Sequence, residues 1–423
     1  MEPRPLRNVP AKTALIACLA PLLIATACAT PGGPPSQAGG GPASAGPKRL
    51  IAAIHGNPTS ILYSLNSGGG GRVDGGMELQ GLVNSGMAVQ TSGGEWTPVL
   101  AEAIPSVDNG LWKIFPDGRS ETTWKIRSGA TWHDGAPLTG DDFVFTVQLS
   151  RDKNMPWLVD PNLSLIDSAD SLDPSTVRIA WKQPYIRADQ MFGKGSVSVV
   201  YPKHILEEPY TRGAGQNISN LSYFTSEYIG TGPFKEKEWV IDQRVTLTAF
   251  DGYAPGRPKV DELEVRFIPD AQTIAANILS DTVDFTLGPG LALEEGLAAR
   301  DRWPQGTMQI GVSGNISMNP QFLNPDPPIL ANVQFRKALY MSINRQELVD
   351  TLTYGLSRPL DANVSPEEPE FKAVQSQIVR YQFDPTKAQQ MITDLGYTRG
   401  TNGMFADSAG SPLVIQIMAT TDD

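Results

Sequence analysis

The chain reads as an α/β protein built of more than one lobe, and three observations say so. About 375 residues follow position 47, more than one hydrophobic core usually serves. Strand patterns with apolar residues at every second position, as at Val245, Leu247 and Ala249 or at Leu263, Val265 and Phe267, alternate with helix starts that carry capping residues. Between Trp124 and Arg151, strand, tight turn and capped helix follow one another without a spare residue. An apolar content of 40% with 19% charged residues is ordinary for globular domains.

At the amino terminus, Arg4, Arg7 and Lys12 precede an apolar run from Thr13 to Ala27, interrupted by Pro21. It is too short for a membrane span and suits a signal peptide over residues 1–27. Ile24-Ala25-Thr26-Ala27-Cys28 resembles a lipobox, which makes Cys28 the expected site of lipid attachment, although Ala25 stands where Leu is commoner. Residues 29–47 contain only Gly, Pro, Ala, Ser, Thr and Gln, cannot bury a core, and are expected to act as a tether with a reach of roughly 24 Å. Cys18 falls in the predicted signal, so no internal disulfide is expected afterwards. Removing the signal's net +2 from the chain's −11 leaves −13, a balance that argues against nucleic acid as a partner.

Leu50–Ile54 is a short apolar strand that runs into the Gly56-Asn57-Pro58 turn, a place where binding crevices form. The spacing predicts a helix over Met77–Val89, a strand over Thr176–Trp181, a helix near Tyr185–Phe192 and a buried strand over Val197–Tyr201. In the 124–151 stretch, Asp134-Gly135 is a turn dipeptide, Pro137 discourages further strand pairing, and Thr139 with Asp142 starts a helix. Farther on, Asp270 precedes a helix with Ile274 and Ile278 on its inner face, and Val283–Leu287 closes the first domain. Helices are expected over Ala331–Ser342, after Asn344, and from Asp384-Pro385 to Gly396. Gly403–Gly410 reads as a turn region before a buried strand at Leu413–Met418.

The stretch Arg127-Ser128-Gly129-Ala130-Thr131-Trp132-His133-Asp134-Gly135-Ala136-Pro137-Leu138-Thr139 resembles the hallmark segment of the family 5 extracellular solute-binding proteins, the peptide and nickel receptors of ABC importers. Gly230-Thr231-Gly232-Pro233-Phe234 with Trp239, and Pro258-Lys259-Val260-Asp261 through Ile268-Pro269-Asp270, are similar to two more of its signatures in the same order. Tyr201-Pro202-Lys203-His204-Ile205, Val333–Leu339 and Asp384-Pro385-Thr386-Lys387-Ala388 extend the likeness from about Pro98 to the last residue. The resemblance implies a two-lobed periplasmic binding protein-like (type II) α/β fold with an extra domain, mixed sheets flanked by helices, and a hinge between lobes. It divides the chain into domain I (48–80 and 197–290), domain II (81–196) and domain III (291–423). Members of the family normally continue past the position of Asp423, so the third domain is expected to be incomplete in this sequence.

The implied function is capture of a short peptide or similar polar solute and its delivery to the permease subunits of an ABC transporter, by a lipid-anchored or periplasmic monomer without cofactor or metal. A ligand must then favour the closed state over the open one. A receptor for a membrane signalling partner and a secreted hydrolase are the alternatives. The second would need a catalytic constellation, and the chain has no G-x-S-x-G elbow, P-loop or H-E-x-x-H. His133 and His204 read as structural turn residues, and Asp141-Asp142 as helix-start carboxylates that suit the helix dipole. The residues expected to touch ligand are His55, Asn57, Trp157, Lys194 and Thr231.

Overall fold

The structure, a computed structural model, describes residues 46–66, 73–91, 95–155, 164–193, 199–213, 218–311, 317–321, 323–366 and 371–418. The predicted signal, Cys28 and most of the tether lie outside these residues, as do the loop at 67–72 and the expected contacts Trp157 and Lys194. Among the described residues no helix is long and apolar enough to cross a membrane.

β1 (Arg49–Ile54) coincides with the first predicted strand and is followed by α1 (Tyr63–Asn66) and α2 (Gly76–Val83). The helix expected over Met77–Val89 stops at Val83, because the backbone beyond it is recruited by distant segments. The Val83 carbonyl accepts from the Gly232 amide and the Met87 amide donates to the Phe192 carbonyl. Ala88–Gln90 therefore forms β2, paired with β3 (Trp96–Pro98).

β4 (Trp112–Ile114), β5 (Ser120–Lys125), β6 (Ile166–Asp173) and β7 (Thr176–Trp181) make an antiparallel sheet in the order β4-β5-β7-β6, with α3 (Gly140–Leu149) inserted after β5. β7 matches the predicted span, and its Val177, Ile179 and Trp181 are buried. Pro137 still forms one isolated bridge, with Thr131. The helix expected near Tyr185–Phe192 is a single 3-10 turn at Ala188–Gln190. Bonds of the i to i+3 kind close it, and Phe192 adopts a φ of 57°, a left-handed conformation that stops a helix. Val199 to Tyr201 are buried but form no strand, and the rest of the strand expected over Val197–Tyr201 falls outside the described residues.

After α4 (Lys203–Gly213), the chain supplies β8 (Phe234–Val240), β9 (Arg244–Ala249), β10 (Glu262–Phe267), α5 (Ala271–Leu279) and β11 (Phe285–Thr286). With β1 they form a mixed sheet in the order β11-β1-β10-β9-β8, in which β1 is parallel to both its neighbours. Two large cores result. One lies on the mixed sheet around Ile54, Leu79, Phe224, Leu247 and Val265; the other lies on the antiparallel sheet around Trp124, Trp132, Phe143, Trp181 and Phe192. α3 serves both, with Phe145 and Leu149 in the first core and Phe143 and Val147 in the second. This placement follows from the 3.6-residue period, which gives a helix apolar on adjoining stripes two faces to bury.

The remaining elements are α6 (Leu293–Arg302), α7 (Val333–Ser342), α8 (Arg345–Leu352), α9 (Phe371–Val374), α10 (Pro385–Asp394) and a hairpin of β12 (Thr398–Arg399) and β13 (Phe405–Ala406). α7 begins at Val333 instead of Ala331, because Asn332 caps it by accepting from the amides of Gln334 and Phe335. Its small core gathers Phe335, Ala338, Met341, Ala388 and Ile392. The buried strand expected at Leu413–Met418 is not found: the contact with β13 stops at a bridge from Pro412 to Ala406 and the Leu413 amide on the Phe405 carbonyl, and Val414, Ile417 and Met418 are exposed. Leu413 and Ile415 alone rest against the small core.

Candidate functional site

A convergence of buried polar side chains lies where the segments joining the two sheets cross, and its geometry starts from two glycines. A Cβ on Gly230 would come within 2.0 Å of the Val83 carbonyl oxygen, and one on Gly232 within 2.4 Å of the Val83 carbonyl carbon. Both positions therefore demand Gly for close backbone approach. Between them Thr231 is buried, donating its hydroxyl to the Ser85 carbonyl at 2.9 Å and accepting from the Ser85 amide at 3.2 Å. Ser85 Oγ lies 2.9 Å from the Tyr253 hydroxyl, and the Tyr228 hydroxyl donates to Asn84 Oδ1 at 3.0 Å.

His133 locks the hallmark turn onto this crossing. Its amide donates to the Gly230 carbonyl, its Nδ1 accepts from the Gly230 amide at 3.1 Å, and its Nε2 faces the Gly232 carbonyl at 3.1 Å. An acceptor at Nδ1 and a carbonyl opposite Nε2 specify the neutral ring with its proton on Nε2. Burial pushes its pKa down to about 4, against the opposing pull of the Gly232 carbonyl. Phe250 packs edge-on at 5.0 Å from the ring. His204 takes a separate post, with Nε2 2.9 Å from Asp134 Oδ2.

The pair Asp141-Asp142 is likewise committed to structure. Asp142 is buried, and its Oδ2 accepts from the amide (2.9 Å) and hydroxyl (3.1 Å) of Thr139, while Oδ1 accepts from the Lys203 amide at 2.9 Å. Asp141 meets the Lys203 ammonium at 3.2 Å, and that contact with the Ser171 hydroxyl holds its carboxyl below the usual range. Between them the two carboxylates fasten α3 to the start of α4.

His55 and Asn57 sit elsewhere, past the carboxyl end of β1. His55 forms a bridge with Asp74, its Nδ1 3.8 Å from the carboxylate, and the Asp270 carboxyl is held low first by the Thr273 hydroxyl and amide. Asn57 donates to Asp242 Oδ1 at 2.5 Å. The His55 side chain is about one-third exposed, with Asp74 beside it. Of the three expected ligand contacts among the described residues, the structure keeps His55 and Asn57 together past β1 and puts Thr231 at a different, buried post. Sequence reasoning missed Asn84, Ser85, Tyr228 and Tyr253, since side chains 144 and 168 positions apart leave no local signal.

The chain resembles known proteins over most of its length. A Brucella ovis protein that carries the name of an ABC transporter peptide-binding protein is 27% identical over 326 residues, covering 76% of this chain and 58% of the relative. The Campylobacter jejuni protein NikZ, solved with Ni(L-His), superposes with a TM-score of 0.60 at 21% identity, covering 86% of this chain and 66% of that one. An oligopeptide-binding protein from Thermus thermophilus, solved with a pentapeptide, gives a TM-score of 0.59 at 20% identity, covering 87% and 67%. The chain thus spans a little under three-fifths of the curated relative's length and about two thirds of the solved ones. The model of the bacterial extracellular solute-binding proteins, family 5 (middle), matches residues 95–423, and the chain belongs to that family.

Proposed function

We propose that the protein is the extracytoplasmic receptor of an ABC importer, which captures a short peptide or a similar polar solute between lobes and hands it unchanged to the permease. The family match over residues 95–423 carries this reading. The relatives' names and titles support it, since they speak of peptides and of a nickel complex. His55 and Asn57 are proposed as ligand contacts, because a part-exposed imidazole beside Asp74 and an exposed amide bonded to Asp242 favour the ammonium end of a ligand. Thr231 is read as part of the crossing, and Trp157 and Lys194 stay as proposed contacts. A lipid on Cys28, with residues 29–47 as tether, would hold the receptor near its permease.

The test is the shift of the unfolding midpoint of the purified chain with di- to pentapeptides, nickel chelates and oligosaccharides. A ligand at a hundred times its dissociation constant stabilises the folded state by about 2.7 kcal/mol. A rise confined to one class, lost in His55→Ala, names the substrate; a midpoint indifferent to every class counts against the receptor reading.

A further inference from the structure

The chain contains the dipeptide Asn-Gly twice, at Asn109-Gly110 and at Asn402-Gly403. An asparagine before glycine is the one most open to attack by its own backbone, because no side chain shields the following nitrogen. The two sites share their backbone geometry. Each glycine is left-handed, with φ of 73° at Gly110 and 79° at Gly403. Each glycine amide also closes a turn, on the Val107 carbonyl at 3.1 Å and on the Gly400 carbonyl at 3.0 Å. Attack therefore requires the turn to open in either case.

The side chains and the cost of opening differ. Asn109 is pinned: its Oδ1 accepts from the Ser106 and Leu111 amides at 3.0 and 3.1 Å, and its Nδ2 donates to the Ile104 carbonyl at 2.8 Å. The Trp112 amide on the Ser106 carbonyl and the Thr123 amide on the Leu111 carbonyl tie the same loop to β4 and β5, so opening it disturbs a four-stranded sheet. Among the described residues, Asn402 Oδ1 accepts from the Met404 amide at 3.1 Å and Nδ2 has no acceptor. Residues 401–403 are exposed at the tip of the β12–β13 hairpin, which has two residues in each strand. So short a two-stranded unit opens at low cost. Arg399 Nε donates to the Gly403 carbonyl at 3.0 Å, which puts a positive charge near the nitrogen that must lose its proton.

We propose that Asn402 is a site of spontaneous modification and that the fold protects Asn109 from the same reaction. In the opened turn the Gly403 nitrogen loses its proton and attacks Asn402 Cγ. A C–N bond forms, the Cγ–Nδ2 bond breaks, and the amide nitrogen takes up a proton and leaves as ammonia, closing a succinimide. Water then opens one of the two imide C–N bonds, giving aspartate or, with the backbone routed through the side chain, isoaspartate. Water is the co-reactant. Either product sets a new carboxylate near Arg399, so a change of charge is confined to the hairpin.

Peptide mapping by mass spectrometry, on the purified chain held at mildly alkaline pH, tests the proposal. The Asn402 peptide is expected to gain one mass unit, and to become a substrate of isoaspartyl methyltransferase, at least tenfold faster than the Asn109 peptide. Asn402→Gln is expected to abolish the change in that peptide while leaving the unfolding midpoint in place. In urea, where neither turn is held, the two rates should come within threefold of each other. An Asn402 that stays intact in the folded chain overturns the proposal, as do equal rates there or a faster change at Asn109. So does a tenfold difference that persists in urea, since the neighbouring residues and not the fold would then set it.

Discussion

Residues 49–287 and residues 291–418 use the same local devices and reach different densities of burial. Among the largest fully buried side chains, the first region holds Trp124, Trp132, Trp181, Phe143, Phe192 and Phe224, and the second holds Phe335. Capping is as good in the second as in the first. Asn332, Asn344 and Asp384 each accept from backbone amides at the starts of α7, α8 and α10, as Asp270 does for α5. Yet α8 has no buried residue, and Leu348, Leu352, Tyr354, Val414 and Ile417 stand exposed. Caps decide where a helix starts; only a facing layer decides whether its apolar stripe leaves water.

That contrast is open to test, from large effects to small. Trp124→Ala, in the core of the antiparallel sheet, should cost about 3–5 kcal/mol in urea unfolding. A cost below that of Ile392→Ala, in the small core, would reverse the ranking of the two regions. The neutral His133 adds a pH term. An unfolded chain takes up this proton near pH 6.5 and the folded one only near pH 4, so the contribution is whole above 6.5 and is lost as pH falls toward 4. The loss is on the order of 3 kcal/mol. His133→Gln should flatten the difference between stabilities measured at pH 7 and pH 4.5, and an unchanged slope would show that His133 is not clamped as neutral.

Gly230→Ala should cost about 1–3 kcal/mol, because the new methyl meets the Val83 backbone and not a movable side chain. Its midpoint should fall while that of Gly110→Ala, a turn position where a Cβ meets nothing within 4 Å but φ is 73°, falls only through backbone strain. Ile417→Ser should lie within about 0.5 kcal/mol of the parent, since the side chain is already 75% exposed. A larger loss would mean that this segment is covered in solution.

Much of this was legible in the order of residues. The β7 span, the Asp270 and Asp384 caps, the Gly135 and Gly396 reversals at φ of 90° and 94°, and the family signatures depend on a few neighbouring residues, so their physics is written locally. The errors fell where distant backbone intervened. α2 ends at Val83 because Gly232 claims its carbonyl, the Tyr185–Phe192 segment turns instead of coiling because Phe192 turns left-handed, and Leu413–Met418 leaves β13 after the single bond from Leu413 to Phe405.

The sequence by itself thus determined which segments begin helices, where the chain reverses, and to which family it belongs. Only the tertiary structure decided that α3 is shared between two cores, that Thr231 belongs to a buried crossing, and that the carboxylate oxygens of Glu236 lie out of solvent. The physical reason is range. Caps and turns act over three or four residues, whereas burial and hydrogen-bond satisfaction depend on groups that the chain brings together from more than a hundred positions apart.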